Sequence, residues 1–160
     1  MSSIKAGVVV ASNRASAGVY ADLTGPILVE ALTALGFSVP APAVVPDGQP
    51  VAQAISAYVI GGARLVLTTG GTGLTPTDQT PEVTGPLLDR EVPGIAEAIR
   101  AAGVAQGVPT AMLSRGLAGT IGDALVINLP GSRGGVTDAL AVLTPVLEHA
   151  LAQILGSDHR

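Results

Sequence analysis

Cysteine is absent from this 160-residue sequence, and histidine occurs only twice, at His149 and His159 near the C-terminus. Disulfides, thiolate nucleophiles and cysteine metal sites are therefore excluded. Both histidines are interpreted as surface groups. These scarcities argue against zinc chemistry and leave oxygen atoms and backbone groups as the available ligands.

Charged residues are also few, at 12% of the chain, and the net charge is −4. Lys5 is the only lysine and no arginine run occurs, so the sequence predicts no nucleic-acid partner. An anionic ligand must then be bound locally, by backbone N–H groups, metal ions or single arginines.

Long hydrophobic runs are missing as well. The apolar stretch at residues 6–11 follows a lysine but is too short for a signal-peptide core. No stretch approaches the roughly 18 apolar residues of a membrane span. We therefore expect a soluble, cytoplasmic protein that does not enter a membrane.

Aliphatic residues are abundant: hydrophobic residues make up 48% of the sequence and aromatic residues only 2%. The length suits one domain covering residues 1–160 with an aliphatic core. Apolar, β-branched runs at residues 7–10, 64–68 and 124–129 do not alternate with polar residues, which predicts strands buried on both faces.

Helical spacing separates these runs. The predicted helices cover residues 26–35 with Pro26 in first position, 50–60, a segment from 80 with Thr80 as N-cap, 93–103, and 136–155 bent at Pro145. Residues 38–45 are predicted as an edge strand or extended connection, and residues 111–114 as a short strand. This alternation predicts a three-layer α/β/α fold, with helices on both faces of a mostly parallel sheet.

The predicted strands end in loops of small residues, where ligands of such sheets bind. Gly70, Gly71, Thr72 and Gly73 follow a buried strand, and their backbone N–H groups could approach a phosphate closely. The segment matches neither the P-loop nor the dinucleotide pattern. The alternative, a tight βα turn, is about equally well supported by these residues alone.

Two loop aspartates, Asp47 and Asp78, stand where a magnesium ion could join them to substrate phosphates. Each has a structural alternative: a turn residue in Pro-Asp-Gly for Asp47 and a helix cap for Asp78. The pairing of two carboxylates at strand ends favours the metal site.

Arginines and serines in the same loops could bind phosphate, carboxylate or a polar heterocycle. The candidates are Arg14, Arg115, Arg133, Ser12, Ser114 and Ser132. Each serine taken singly is more often a turn hydroxyl. Arg64, Arg90 and Arg100 are interpreted as ordinary surface charges.

Motifs along nearly the whole chain are similar to those of a known family. They are Ser12-Asn-Arg-Ala-Ser-Ala-Gly-Val-Tyr20, Val45-Pro-Asp47, Thr69-Gly-Gly-Thr-Gly73, Asp78-Gln-Thr-Pro-Glu82, Arg90-Glu-Val-Pro-Gly94, Met112-Leu-Ser-Arg115 and Asn128-Leu-Pro-Gly131. The sequence thereby resembles the MogA/MoaB family of molybdenum-cofactor biosynthesis proteins, which includes the G domain of gephyrin.

The resemblance implies the molybdopterin-binding fold, usually as a homotrimer, and AMP transfer from Mg-ATP to the terminal phosphate of molybdopterin. It implies hand-over of the product to a molybdenum-inserting enzyme. Asp47 and Asp78 match the essential aspartates and expected Mg²⁺ ligands, and Gly70, Gly71, Thr72 and Gly73 match the ATP loop. The expected molybdopterin-binding residues are Ser12, Arg14, Ser114, Arg115, Gly131, Ser132 and Arg133.

Three positions depart from the family pattern. Thr77 stands where a cation usually precedes the second aspartate, Asn13 where Asp is common, and Arg133 where proline is usual. One hypothesis is that Arg133 supplies the cation missing at Thr77. Two other functions remain open: a non-catalytic molybdopterin-binding homologue of the MoaB type, and an assembly scaffold.

Overall fold

The computed structural model describes residues 3–157, which fold around a six-stranded sheet. The strands are β1 (Ala6–Ala11), β2 (Ala43–Val45), β3 (Leu65–Thr69), β4 (Arg90–Glu91), β5 (Ala118–Ile121) and β6 (Ala124–Leu129). The helices are α1 (Asn13–Ser16), α2 (Thr24–Ala34), α3 (Gln49–Ile60), α4 (Thr80–Thr84), α5 (Pro93–Ala105) and α6 (Arg133–Ile154). Two 3₁₀ helices cover Gly85–Leu87 and Pro109–Leu113.

The sheet has the order β2-β1-β3-β6-β5-β4, and its first four strands are parallel. Every residue of β1, β3 and β6 is buried, as their unbroken apolar runs predict. β2 forms the edge that the prolines before it predict, with only three residues paired to β1.

Helices cover both faces, which confirms the three-layer α/β/α prediction. On one face, α2, α5 and α6 pack against the sheet through aliphatic residues such as Leu28, Ile99 and Leu143. On the other, α3 contributes Val51 and Ile55, and Val83 of α4 packs beside them. Tyr58 of α3 covers Gly7 so closely that a Cβ there would overlap its ring, and burial raises the pKa of Tyr58.

The antiparallel edge is the part of the sheet that sequence patterns did not indicate. β5 pairs antiparallel with β6 through a tight turn at Gly122, and the two-residue β4 pairs with β5. The strand predicted at residues 111–114 is wrong, because Pro109–Leu113 forms a 3₁₀ helix packed on α5. A Cβ on Gly103 of α5 would lie 2.5 Å from the Ala111 Cβ, so glycine permits this contact.

Several predicted helix ends also shift. The helix predicted from Pro26 begins at Thr24, because the Asp22 carboxylate accepts hydrogen bonds from the N–H groups of Thr24 and Gly25. Thr80 is the first residue of α4 rather than its N-cap, and its hydroxyl binds another loop. α5 continues past Gly103 to Ala105, and α6 continues through Pro145.

The chain between residues 3 and 157 contains no helix with both the length and the hydropathy needed to span a bilayer. His149 is exposed on α6, as predicted. His159 lies outside the described residues.

Candidate functional site

The carboxyl ends of the four parallel strands bring their loops together at one edge of the sheet. The Ser12 N–H donates to the Val45 carbonyl (2.9 Å), and the Gly70 N–H donates to the Leu129 carbonyl (3.1 Å). The Thr69 hydroxyl donates to the Pro130 carbonyl at 2.7 Å. These bonds fix each loop to its neighbour.

The glycine loop, residues 70–73, adopts a backbone that needs glycine. Gly70 and Gly71 have φ values of 92° and 69°, in the left-handed region that other residues rarely adopt. A Cβ on Gly70 would lie 2.5 Å from the Ala11 carbonyl oxygen. A Cβ on Gly71 would overlap the Asp47 carboxylate and the Thr80 hydroxyl.

This backbone leaves donors available for a ligand. Across residues 3–157, no group accepts a hydrogen bond from the N–H of Gly71, Thr72 or Gly73. Three successive unpaired N–H groups in a turn with left-handed residues form a concave anion site. The glycine loop therefore has the geometry of a phosphate cradle rather than that of a closed turn alone.

The N-terminus of α6 adds a second set of donors beside this cradle. The Ser132 hydroxyl caps the helix by accepting from the Gly135 N–H at 3.0 Å. Gly131, just before it, lies so close to the glycine loop that its Cβ would be 3.1 Å from the Gly70 Cα. The first N–H groups of a helix lack intrahelical partners, and the helix dipole favours anions there.

Two cavities meet at this pair of loops. The first cavity, of about 430 Å³, extends from the glycine loop between α5 and α6. The second cavity, of about 390 Å³, extends over β1 and the chain before α2. Both are lined by Gly70, Gly131 and Ser132. The anion-binding donors therefore stand on a wall shared by two separate compartments.

Asp78 stands at the wall of the first cavity. Its Oδ2 accepts one hydrogen bond, from the Thr75 N–H at 3.1 Å, and its Oδ1 has no partner in the described chain. This carboxylate beside unpaired N–H groups suits a magnesium ion that also binds phosphate oxygens.

The Asp47 carboxylate, in contrast, accepts hydrogen bonds from other groups of the protein. Its Oδ1 accepts from the Gly48 N–H at 2.7 Å and the Thr80 hydroxyl at 2.9 Å, and its Oδ2 accepts from the Gln79 N–H at 3.0 Å. Asn13 adds a bond to the backbone, because its Oδ1 accepts from the Asp47 N–H at 3.0 Å. Asp47 thus ties the β2 loop to the start of α4, beneath the glycine loop.

Metal-ligand clusters of three or more His, Asp or Glu side chains do not occur within residues 3–157. Magnesium usually binds through one or two carboxylates plus waters and substrate phosphates, so a larger protein cluster is not required for it. The free Oδ1 of Asp78 fits that role, whereas Asp47 has few lone pairs left.

The predicted molybdopterin-binding residues do not line a single cavity. Ser114 lines the first cavity, whereas Ser12 and Arg133 line the second. The Ser12 hydroxyl also caps α1 by accepting from the Ala15 N–H at 3.1 Å. Arg14 is exposed on α1.

Arg115 is engaged by the protein rather than directed into the first cavity. Its Nη1 forms an ion pair with Glu82 at 2.6 Å, its Nε donates to the Gly73 carbonyl at 2.8 Å, and its Nη2 donates to the Asp78 carbonyl at 2.9 Å. Its guanidinium therefore braces the loop that carries Asp78. Arg115 also lines an open groove, together with Asp78 and Glu82.

Arg100, interpreted from the sequence as an ordinary surface charge, is half-buried and lines the first cavity. Its Nη1 donates to the carbonyls of Ser114 (3.3 Å) and Gly116 (3.2 Å). Asp138 of α6 lines the same cavity, and no sequence pattern indicated it. Both lie inside helices, where no loop or glycine motif marks them.

Comparisons with known proteins identify relatives of this chain in sequence and in structure. The family described as a probable molybdopterin binding domain matches residues 7–149. Molybdopterin adenylyltransferase of Haemophilus influenzae is 39% identical over 142 residues, covering 86% of this chain and 71% of its own length. The chain spans only 50% of the length of the molybdenum cofactor biosynthesis bifunctional protein of Synechococcus elongatus, at 39% identity over 99% of this chain.

Solved structures superpose closely. The molybdopterin biosynthesis Mog protein of Mycobacterium ulcerans matches with a TM-score of 0.91 and 50% identity, covering 95% of this chain and 99% of that one. The molybdopterin biosynthesis enzyme MoaB of Thermus thermophilus matches with a TM-score of 0.88 and 41% identity, covering 98% and 99%. With most of its length matched in sequence and fold, the chain belongs to the MogA/MoaB family of molybdenum-cofactor biosynthesis proteins.

Proposed function

We propose that the protein is a molybdopterin adenylyltransferase, which transfers AMP from Mg-ATP to the terminal phosphate of molybdopterin. The observation that carries this proposal is the shared wall of the two cavities. Unpaired N–H groups of the glycine loop and the N-terminus of α6 stand there together, so phosphates from two compartments can meet.

The reaction needs no protein nucleophile. A terminal phosphate oxygen of molybdopterin attacks the α-phosphorus of ATP, the bond between that phosphorus and the bridging oxygen breaks, and pyrophosphate leaves. The products are adenylylated molybdopterin and pyrophosphate. Positioning two polyanions and stabilising the developing charge are the protein's tasks, and both depend on preorganised donors.

Within this mechanism, Asp78 would hold magnesium and the N–H groups of Gly71 and Thr72 would bind phosphate oxygens. Magnesium would neutralise charge on the polyphosphate. Asp47 would act mainly by positioning, since its carboxylate fixes the glycine loop against α4. Arg115 would hold the Asp78 loop in place through the Gly73 and Asp78 carbonyls.

A binding-only role is the second candidate, and one observation favours it. The position before Asp78 is Thr77, so residue 77 supplies no positive charge to the phosphate cradle. A protein that holds molybdopterin without transferring AMP, of the MoaB type or as a scaffold, requires no such cation.

Pyrophosphate release separates these functions. The purified protein is mixed with molybdopterin, ATP and Mg²⁺, and pyrophosphate and adenylylated molybdopterin are both quantified in a single turnover. We expect equimolar formation of the two products, dependent on Mg²⁺. Tight molybdopterin binding without either product would establish the binding-only role.

The family resemblance also leads us to propose a cytoplasmic homotrimer that delivers its product to a molybdenum-inserting enzyme. Light scattering at micromolar concentration should give about three times the 15.7 kDa mass of the chain. A monodisperse monomer would contradict the trimer without affecting the proposed reaction.

A further inference from the structure

Besides Asp78, two opposite charges line the first cavity without pairing with each other. Arg100 projects from α5 and Asp138 from α6, and both side chains are half-buried. Within residues 3–157 the Asp138 carboxylate has no hydrogen-bond or ion-pair partner. The Arg100 Nη1 is held by two carbonyls, which leaves its Nε and Nη2 as available donors.

Away from the glycine loop and these two charges, the wall of the first cavity is largely apolar. Ile99, Val108, Ala111 and Leu113 form it, and Gly103 contributes no side chain. Apolar walls with a small number of placed polar groups are typical of sites for small planar ligands. A heterocycle could therefore lie between aliphatic side chains, with its polar edge toward Arg100 and Asp138.

The polar pair matches one type of heterocycle edge. The pyrimidinone edge of a pterin presents a carbonyl oxygen, then the N3–H, then the 2-amino group, which is one acceptor followed by two donors. An arginine N–H and the two oxygens of a carboxylate supply the complementary donor and acceptors. Adenine presents one amino donor beside a ring nitrogen acceptor, so one carboxylate oxygen would remain without a donor.

We infer that Asp138 is a specificity-determining residue that binds the N3–H and 2-amino group of the pterin, with Arg100 on the 4-carbonyl oxygen. This inference rests on the proposed function, because it names the group that selects molybdopterin over adenine in the first cavity. Discrimination arises because the wrong ring leaves a half-buried charge unsatisfied.

The first test measures equilibrium binding of molybdopterin by fluorescence to the wild-type protein and to Asp138→Asn. The affinity should fall by about 10- to 100-fold, the effect of losing hydrogen bonds to a charged group, while ATP binding stays unchanged. Glu148→Gln, an exposed carboxamide substitution on the same helix, is the matched control and should bind normally.

The second test exchanges one atom of the ligand. The phosphates of 6-hydroxymethylpterin and 6-hydroxymethyllumazine differ in that lumazine carries an oxygen in place of the 2-amino group. The wild-type protein should prefer the pterin by about 10-fold or more, and Asp138→Asn should lose that preference because its amide can donate to the 2-oxygen. If Asp138 had a purely structural role, Asp138→Asn would weaken the binding of both ligands equally, and that result would overturn the inference.

Failure of the inference is distinguishable from failure of the proposed reaction. Normal pyrophosphate release with an unchanged ligand preference in Asp138→Asn would reject the role of Asp138 and leave the transferase intact. Preserved discrimination without any pyrophosphate release would reject the transferase and support a pterin-binding site.

Discussion

The two aspartates of the site occupy contrasting surroundings although the sequence presents them alike. Asp47 accepts three hydrogen bonds, from Gly48, Gln79 and Thr80, whereas Asp78 accepts only one, from Thr75. A carboxylate whose lone pairs are occupied by the protein holds loops together. One with a free oxygen at a cavity wall can bind a ligand. Position at a strand end therefore does not by itself determine which of these roles an aspartate has.

The largest effect on transfer that we expect comes from Asp78→Asn. Single-turnover formation of adenylylated molybdopterin should fall by roughly 10²–10³-fold, the order found for losing one preorganised electrostatic group. The circular dichroism spectrum and thermal midpoint should stay unchanged because only one internal hydrogen bond is affected. A folded variant with the wild-type rate would make Asp78 a loop residue.

Asp47→Asn should also slow transfer, but with a loss of stability that Asp78→Asn lacks. The amide nitrogen cannot accept hydrogen bonds from the surrounding donors, so the free energy of unfolding should fall by about 1–3 kcal/mol. Urea denaturation measures this, with Glu97→Gln as the control, because Glu97 is exposed and has no hydrogen-bond or ion-pair partner among residues 3–157. Equal stability of Asp47→Asn and wild type would contradict the supporting role inferred here.

A substitution in the glycine loop tests how tightly Asp47 and its neighbours constrain the backbone there. Gly71→Ala should lower the free energy of unfolding by about 1–3 kcal/mol, because a left-handed residue gains a Cβ that overlaps the Asp47 carboxylate and the Thr80 hydroxyl. Gly134→Ala is the matched control, since nothing lies within 4 Å of its added Cβ. Similar denaturation midpoints for both variants would show that the glycine loop is less constrained than its contacts indicate.

Arg133→Ala should leave the stability of the fold unchanged and weaken binding of the ligand in the second cavity by about 1–3 kcal/mol, through the loss of charge-assisted hydrogen bonds. Arg133 and Asp78 line different cavities, so adding Thr77→Arg should recover little of this loss. Titration calorimetry with ATP and with molybdopterin measures both variants. Substantial recovery in the double variant would support the hypothesis that Arg133 supplies the missing cation.

Much of the central sheet was predictable, because a strand that is buried on both faces has an unbroken apolar run that can be recognised in the sequence. β1, β3 and β6 each appear as a β-branched run without polar alternation. Parallel strands also require their carboxyl ends to meet, so the convergence of the loops followed from the order of strands and helices. These inferences need only neighbouring residues and chain topology.

The antiparallel edge could not be predicted in the same way. β4 has only two residues, both exposed, and it becomes a strand because β5 lies beside it. Gly119 allows that approach, since a Cβ there would overlap the Arg90 carbonyl oxygen. Neither segment carries a local pattern, because pairing between distant residues is what defines them.

The sequence by itself determined the aliphatic core, the parallel strands and the glycine loop, since each depends on residue type and spacing along the chain. Only the tertiary structure decided which charges face the ligand. Asp47 is occupied by Gln79 and Thr80, more than thirty positions away, and Arg100 and Asp138 line one cavity because α5 packs against α6. A side chain's free lone pairs and exposure are set by its neighbours in space, and those neighbours come from other parts of the chain.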